Sequence, residues 1–335
     1  MTSMATDAPK VEGLAADIVK LLSKSLGQRT PVTVTEPVRT FGGNARQAWS
    51  CLASWWVDGV QHDEPMILLV RGSGSQVETD PASEFAALDG LADKGVRAPR
   101  IWAQDPAGEI FGGPAVLLER LSGRTDAVEF LGADRETGRS RTLDLARAAA
   151  ELHAAPLSGL GAAESQVAHW RQQFEVARVE SYPTISWLFD WLEDHEDAPG
   201  EQALVHGDFR PGNVLFDGDH IVGILDWEMA HIGDPIEDLA WAYRALWSPE
   251  RFVPLEEFVA AYEAAGGNHV SADALRWNRV LCELKFAVIS LRASRSFADN
   301  TSTNLRLIDR GRTVVPSVRR CLSWISHEEG ADAPC

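Results

Sequence analysis

"HGDFRPGNVLFDGDHIVGILDWE", residues 206–228, follows the apolar Ala203, Leu204 and Val205. Two apolar runs, Val214 to Phe216 and Ile221 to Leu225, are joined by the turn-rich "DGDH", a pattern that predicts a β-hairpin. A hairpin returns the chain to where it began, so Asn213 at its entrance and Asp226 at its exit are expected side by side. An Asn oxygen beside an Asp carboxylate suits a hard cation such as Mg2+, which takes one or two carboxylates and completes its shell with water and nucleotide phosphates. Asp208, five positions before Asn213, lies on the loop entering the same place. An acid there can accept the proton of an attacking hydroxyl and aim that hydroxyl in line with a phosphate.

Asp, Asn, Gly and Pro also populate turns for backbone reasons alone. Turn chemistry does not, however, set an HGDxxxxN pattern thirteen positions before a strand-ending Asp. With that pattern and "ILDWE", the chain resembles the aminoglycoside phosphotransferase family, also called the phosphotransferase enzyme family, a branch of the protein-kinase-like fold. The resemblance spans residues 35–325 and is dense in motifs over 203–243. It implies an α+β, bilobal fold, with a small N-lobe of antiparallel sheet plus helix and a larger, mostly helical C-lobe. It also implies ATP and Mg2+ as cofactors, Asp208 as catalytic base, Asn213 and Asp226 as metal ligands, and a hydroxyl-bearing acceptor.

Composition narrows the partners. The 335 residues, 45% hydrophobic, suffice for two lobes with cores of their own. Forty-nine acids against 31 Lys and Arg give a formal charge of -18, which disfavours nucleic acid and anionic membranes as partners. Cys51, Cys282, Cys321 and Cys335 show no CxxC spacing, which fits reduced thiols in a cytoplasm better than a disulfide framework or zinc knuckle. "MTSMATDAPK" does not read as the start of a signal peptide, and no apolar run approaches the ~20 residues of a membrane helix. Monomer and homodimer both stay open.

Upstream of the motif, Leu14, Ile18, Leu21 and Leu22 mark one face of a helix over 11–26. "PVTVTEPVRTF" alternates with period two, and "ARQAWSCLASWWV" and "PMILLVRG" read as strands. "DPASEFAALDGLADKG" reads as a helix with Asp80 as N-cap and Pro81 at its first position. Strands near 100–103 and 114–120 complete a lobe over 1–121, with Ser122 and Gly123 as the hinge. The helical lobe then covers 122–328, and 329–335 is expected to be a flexible tail.

The resemblance implies that the N-lobe holds the nucleotide. Arg71 ends a strand where kinases carry a lysine, and Glu84 shares a helix face with Leu88 and Leu91. Arg71 paired with Glu84 and touching the ATP phosphates is the family-style arrangement, and a guanidinium can fork across two oxygens. The alternative is a surface cation and a glutamate favoured by its helix N-terminus. Gly42 and Gly43 of "FGGNAR" either cover the phosphates or form a plain turn. Backbone groups from Glu119 to Leu121 are expected to meet adenine.

In the C-lobe, His206 reads as a loop-holding residue and Asp238 as a brace for the catalytic loop. Asp234 before Pro235 suits a helix cap, and His153 suits a polar bridge. Gly207 stands where many protein kinases have an arginine for a regulatory phosphate, and only seven residues separate Asp226 from Asp234. That leaves no room for a long activation loop, so a small molecule is the expected acceptor. Residues 271–325 hold ten Lys and Arg against four acids. They are either solvated helix faces or an attraction for an anionic acceptor such as a hydroxyacyl-CoA, with Arg292 and Arg295 as candidate contacts. An antibiotic kinase, or a nucleotide-binding module without catalysis, are the competing readings.

Overall fold

A computed structural model describes residues 13–27, 31–40, 46–72, 81–91, 94–157, 163–196, 202–299 and 304–329. Gly42, Gly43, Asp80 and Cys335 lie outside the described residues. Among the described residues the first element is α1 (Leu14–Ser25), which begins at the first of its apolar positions, with Gly13 before it. The alternating run at 31–41 is two strands, β1 (Val32–Val34) and β2 (Val38–Thr40), not one. Glu36 and Pro37 fall between them, and proline has no N–H for the ladder. Both strands pair with β3 (Arg46–Val57), which pairs along its whole length with β4 (Val60–Arg71). Asp58 and Gly59 make the turn between them with φ of 49° and 80°, the left-handed pair that a tight hairpin requires.

After α2 (Pro81–Gly90), β5 (Ile101–Asp105) and β6 (Ala115–Glu119) complete an antiparallel sheet of order β1-β3-β4-β6-β5. Trp49, Cys51, Ala53 and Trp55 alternate onto one face, where Met66, Leu68 and Val70 of β4 join them beneath the apolar stripe of α1. Each large side chain so buried stabilises by roughly 1.5–3 kcal/mol. The sheet, α1 and α2 form the N-lobe.

The C-lobe comprises α3 (Ala127–Gly132), α4 (Arg135–His153), α5 (Gln166–Ala177) and α6 (Pro183–Asp194), then the strand segment, then α7 (Ile236–Ala242), α8 (Leu255–Ala264), α9 (Ala272–Ala298), α10 (Leu305–Asp309) and α11 (Val314–Glu329). Helix α9 is buried on nearly every side through its middle, as a central helix must be, and α5, α7 and α11 pack around it. Helix α11 carries Glu328 and Glu329, so part of the expected tail is helical. Cys51, Cys282 and Cys321 are buried free thiols. Among the described residues no helix is long and apolar enough to cross a membrane.

The strand segment consists of β7 (Ala203–Val205), β8 (Val214–Asp217), β9 (His220–Ile224) and β10 (His231–Gly233). Strands β8 and β9 form the expected hairpin, and β10 returns to pair with β7. Arg124, just past the expected hinge, exchanges two 2.9 Å backbone hydrogen bonds with Phe216, so the lobe connection is seated on this hairpin.

Candidate active site

The hairpin register sets the site. Val214 lies opposite Ile224, and Leu225 N–H donates to Asn213 C=O at 2.8 Å, which brings Asn213 and Asp226 to one end of the ribbon. Asn213 Nδ2 donates to Asp208 Oδ2 at 2.6 Å and to the Asp208 carbonyl at 2.9 Å. Asp208 Oδ1 accepts from Trp241 Nε1 at 2.7 Å and from Arg210 Nε at 3.0 Å. The carboxylate is therefore fixed from three sides while its side chain keeps 16% exposure, enough to meet a ligand.

Asp226 adopts φ of 67°, a left-handed conformation that costs a non-glycine residue about 1–2 kcal/mol. Its side chain keeps 41% exposure although protein crowds around it, and Glu228 is a neighbouring acid. That crowding and the neighbouring acid raise its pKa, and Arg46 opposes them.

Below the carboxylates, Asp238 braces the loop as expected. Its two oxygens accept from the N–H groups of His206 at 2.7 Å and Gly207 at 2.9 Å, and His153 Nε2 lies 3.1 Å away with Nδ1 3.0 Å from the Tyr262 hydroxyl. Burial alone would raise the Asp238 pKa, but His153 and the loop donors outweigh it and hold the carboxyl below its ordinary range. His206 Nδ1 accepts from Asp208 N–H at 3.2 Å, so Nε2 carries the proton and donates to Leu225 C=O at 2.9 Å. This ring is fully buried, and burial pushes its pKa down, which keeps it neutral. Gly207 sits at φ of 79°, and a Cβ there would come within 2.3 Å of Met229 C=O. That contact is the physical reason no kinase-type arginine stands at this position.

Lys285, in the middle of α9, reaches across 78 residues to donate to Gly207 C=O at 2.5 Å. It also donates to Glu237 Oε1 at 2.6 Å, and both residues are about 98% buried or more. Burial would raise the Glu237 carboxyl, but Lys285 and His231 prevail and bring its pKa to about 2. The sequence signal for this residue was present: one lysine inside the apolar run "LCELKFAVIS" calls for a buried partner.

On the N-lobe side a second arginine joins the expected Arg71–Glu84 contact. Arg46 and Arg71 are directly opposite on β3 and β4, so both project toward α2. Arg46 takes Glu84, forking across its oxygens at 2.6 and 2.8 Å. Arg71 is left 3.9 Å from Glu84 and 3.7 Å from Glu228. The expected Arg71–Glu84 pair is thus a loose contact within a cluster that Arg46 dominates.

The adenine expectation also narrows. Glu119 N–H donates to Arg100 C=O and Arg120 N–H to Pro65 C=O, each at 2.8 Å, so sheet bonds use both donors. Leu121 follows these two bonded positions, directly before the expected hinge at Ser122 and Gly123.

Arg292 and Arg295 make contacts with α5. Arg292 bonds Gln173, and Arg295 donates to the carbonyls of Val176 and Arg178 at 2.6 and 3.1 Å, where α5 runs out of intrahelical donors. Arg310, in the same basic segment, is half-buried, and burial and Arg210 lower its pKa while Asp208 opposes them. Asp234 accepts from Ile236 N–H at 2.9 Å and caps the start of α7.

The residues fit a metal–nucleotide complex. No three His, Cys, Asp or Glu side chains form a metal cage among the described residues, and one Asp with one Asn needs phosphate and water to complete a Mg2+ shell. Arg46 Nε is buried and has no acceptor, an unmet donor that suits an incoming phosphate oxygen.

Comparison with known proteins agrees with this geometry. Mouse acyl-CoA dehydrogenase family member 10 is 29% identical over 210 residues, which cover 58% of this chain and 20% of that protein. The human family member 11 is 36% identical over 85 residues, 24% of this chain and 11% of that protein. The chain thus spans a fifth or less of the length of these relatives. Among solved structures, aminoglycoside phosphotransferase APH(4)-Ia in ternary complex with ADP and hygromycin B matches with a TM-score of 0.60 at 18% identity, covering 92% of this chain and 98% of that one. A choline/ethanolamine kinase family protein from Mesorhizobium loti matches with a TM-score of 0.63 at 18% identity, covering 94% and 95%. Residues 54–276 match the phosphotransferase enzyme family, and with its kinase-like fold the chain belongs to that family.

Proposed function

We propose that the protein transfers the γ-phosphate of Mg2+-ATP to a hydroxyl of a small acceptor. The observation that carries this reading is the held carboxylate of Asp208, fixed by Asn213, Trp241 and Arg210 beside Asp226. Asn213 and Asp226 would hold Mg2+, which neutralises charge on the phosphates when bound. Asp208 aims the acceptor hydroxyl and takes its proton as the new O–P bond forms and the bond to the ADP oxygen breaks. Arg71 and Arg46 supply fixed positive charge toward the phosphates. The loop geometry under Asp208 is maintained by Asp238, His206 and Lys285.

For the acceptor, an anionic molecule of the hydroxyacyl-CoA type is the favoured class. Arg210 is ion-paired with Asp208 at 3.0 Å, and the 271–325 segment, with ten Lys and Arg against four acids, would attract an anion. The relatives named as acyl-CoA dehydrogenase family members support the same class. A cationic antibiotic is the second reading, favoured by the net charge of -18 and by the hygromycin B complex of the structural neighbour.

The test supplies Mg2+-ATP with hydroxyacyl-CoAs, aminoglycosides, macrolides and choline-like amines, and reads phosphorylated products by mass. Asp208→Ala is expected to lower transfer by about 10²–10⁴-fold or more while nucleotide affinity, read by calorimetry, holds. Transfer at the parent rate sinks the assignment of the base. Nucleotide binding with no transfer to any acceptor would promote the binding-module reading.

A further inference from the structure

Arg46 plays no part in the family motif, yet its surroundings are the most heavily charged in the site. Nη1 and Nη2 hold both oxygens of Glu84, Nη2 reaches Glu228 Oε2 at 3.2 Å, and Asp226 Oδ1 lies 3.9 Å from the same nitrogen. Three carboxylates from α2 and from the segment after β9 therefore converge on one guanidinium that is only 9% exposed. Arg71 flanks the group at 3.7 and 3.9 Å from Glu228 and Glu84.

Carboxylates gathered this closely repel one another unless a cation sits among them, and two kinds of cation are available to this site. One is a divalent metal. The other is the guanidinium, which is covalently attached and always present. A metal arriving by itself at Asp226 must compete with Arg46 for the same negative charge. A metal arriving with nucleotide phosphates brings new anions with it, and these give Arg46 another partner, including an acceptor for its unbonded Nε.

We propose that Arg46 is a built-in competitor of the metal: it balances Asp226 and Glu228 with protein charge, so that divalent cation binds weakly alone and well only in company with nucleotide phosphates. The ordering would come from a side chain that belongs to neither the catalytic loop nor the metal ligands. The proposal rests on the reading of this site as a metal–nucleotide site, and its test separates the two.

Mn2+ serves as the probe, with the free ion followed by electron paramagnetic resonance in titrations of parent, Arg46→Met and Arg46→Lys proteins. Circular dichroism checks the fold of each. Without nucleotide, Arg46→Met is expected to bind Mn2+ at least about tenfold more tightly than the parent, because a charge–charge coupling at this distance is worth that much or more. With AMP-PNP present the order is expected to reverse, since the variant has lost a phosphate-facing cation. Equal Mn2+ affinity for parent and Arg46→Met without nucleotide overturns the proposal. If Arg46→Met does not fold, Arg46→Lys carries the test. One ammonium cannot span Glu84 and Glu228 as the fork does, so a gain in Mn2+ affinity is still expected, and parental affinity overturns the idea. Failure of every protein, parent included, to bind Mn2+ with AMP-PNP refutes the metal–nucleotide reading itself, whatever Arg46 does.

Discussion

Replacing Lys285 with methionine removes a charge from the centre of α9 while leaving a side chain of similar length. In the parent its ammonium satisfies Glu237 at 2.6 Å and Gly207 C=O at 2.5 Å, in a place that is 1% exposed. After the change Glu237 keeps only His231 at 3.2 Å. Breaking a buried pair by deleting one partner costs about 3–5 kcal/mol. Glu237 limits the loss, because without Lys285 burial raises its pKa and lets it take a proton. We expect the low end, about 3 kcal/mol. An unfolding entropy of about 2.1 cal/mol/K per residue makes that a drop in Tm of about 4 °C for 335 residues.

The double variant Lys285→Met with Glu237→Leu should regain most of the loss, since an apolar replacement of a buried pair is near neutral. Transfer activity should not recover with it, because Gly207 C=O still lacks its donor. Calorimetric melts at pH 7.5 read the first effect and turnover reads the second. A single variant melting with the parent, or a double variant melting below the single, would refute this account of the buried pair.

Two further changes test the loop and the buried charges. Gly207→Ala meets both a φ of 79° and a 2.3 Å approach to Met229 C=O, so it should cost more than the about 1–2 kcal/mol of the left-handed backbone alone. It should also slow transfer by moving Asp208, and an unshifted urea midpoint would contradict it. For pH, His206 and His169 have pKa values lowered by burial. Below about 6.5 their unfolded rings take up protons that the folded rings resist, so stability is complete above that pH and falls as pH drops below it. Glu237 acts in a lower window: its contribution is present above about 4.5 and is lost as pH falls toward about 2. Urea midpoints measured from pH 8 to 2 check the order, and a midpoint that rises on acidification to pH 5.5 contradicts the histidine sign.

The parts of the site that were legible in the sequence are those built by local chain geometry. A two-strand ribbon joined by a short turn forces Asn213 and Asp226 together whatever surrounds it, and the spacing to Asp208 travels with the same loop. Asp238 was read from its place in the first turns of the helix after Asp226, and His153 from its place at a helix end. Arg46 was not readable, since the identity of the arginine that reaches Glu84 depends on the cross-strand register of β3 and β4 and on the approach of α2. The basic segment was read two ways, as paired helix faces or as an attraction for an anion, for a related reason. Charge counts say nothing of direction, and most of its cations are consumed by nearby groups: Arg276 by Asp273, Arg320 by Glu283, and Arg295 by the end of α5.

The pairing of β10 with β7 has a consequence for control. Residues 231–233 are stitched to 203–205, the strand that leads directly into the catalytic loop, so the chain on either side of the reaction centre is clamped into one small ribbon. In enzymes whose corresponding segment hangs free, that segment can be withdrawn and restored as an on–off switch. Here withdrawing it would tear the strand that presents Asp208. Residues 231–233 are therefore held in the same ribbon that leads into Asp208, and moving them would break the three residue pairs they make with 203–205.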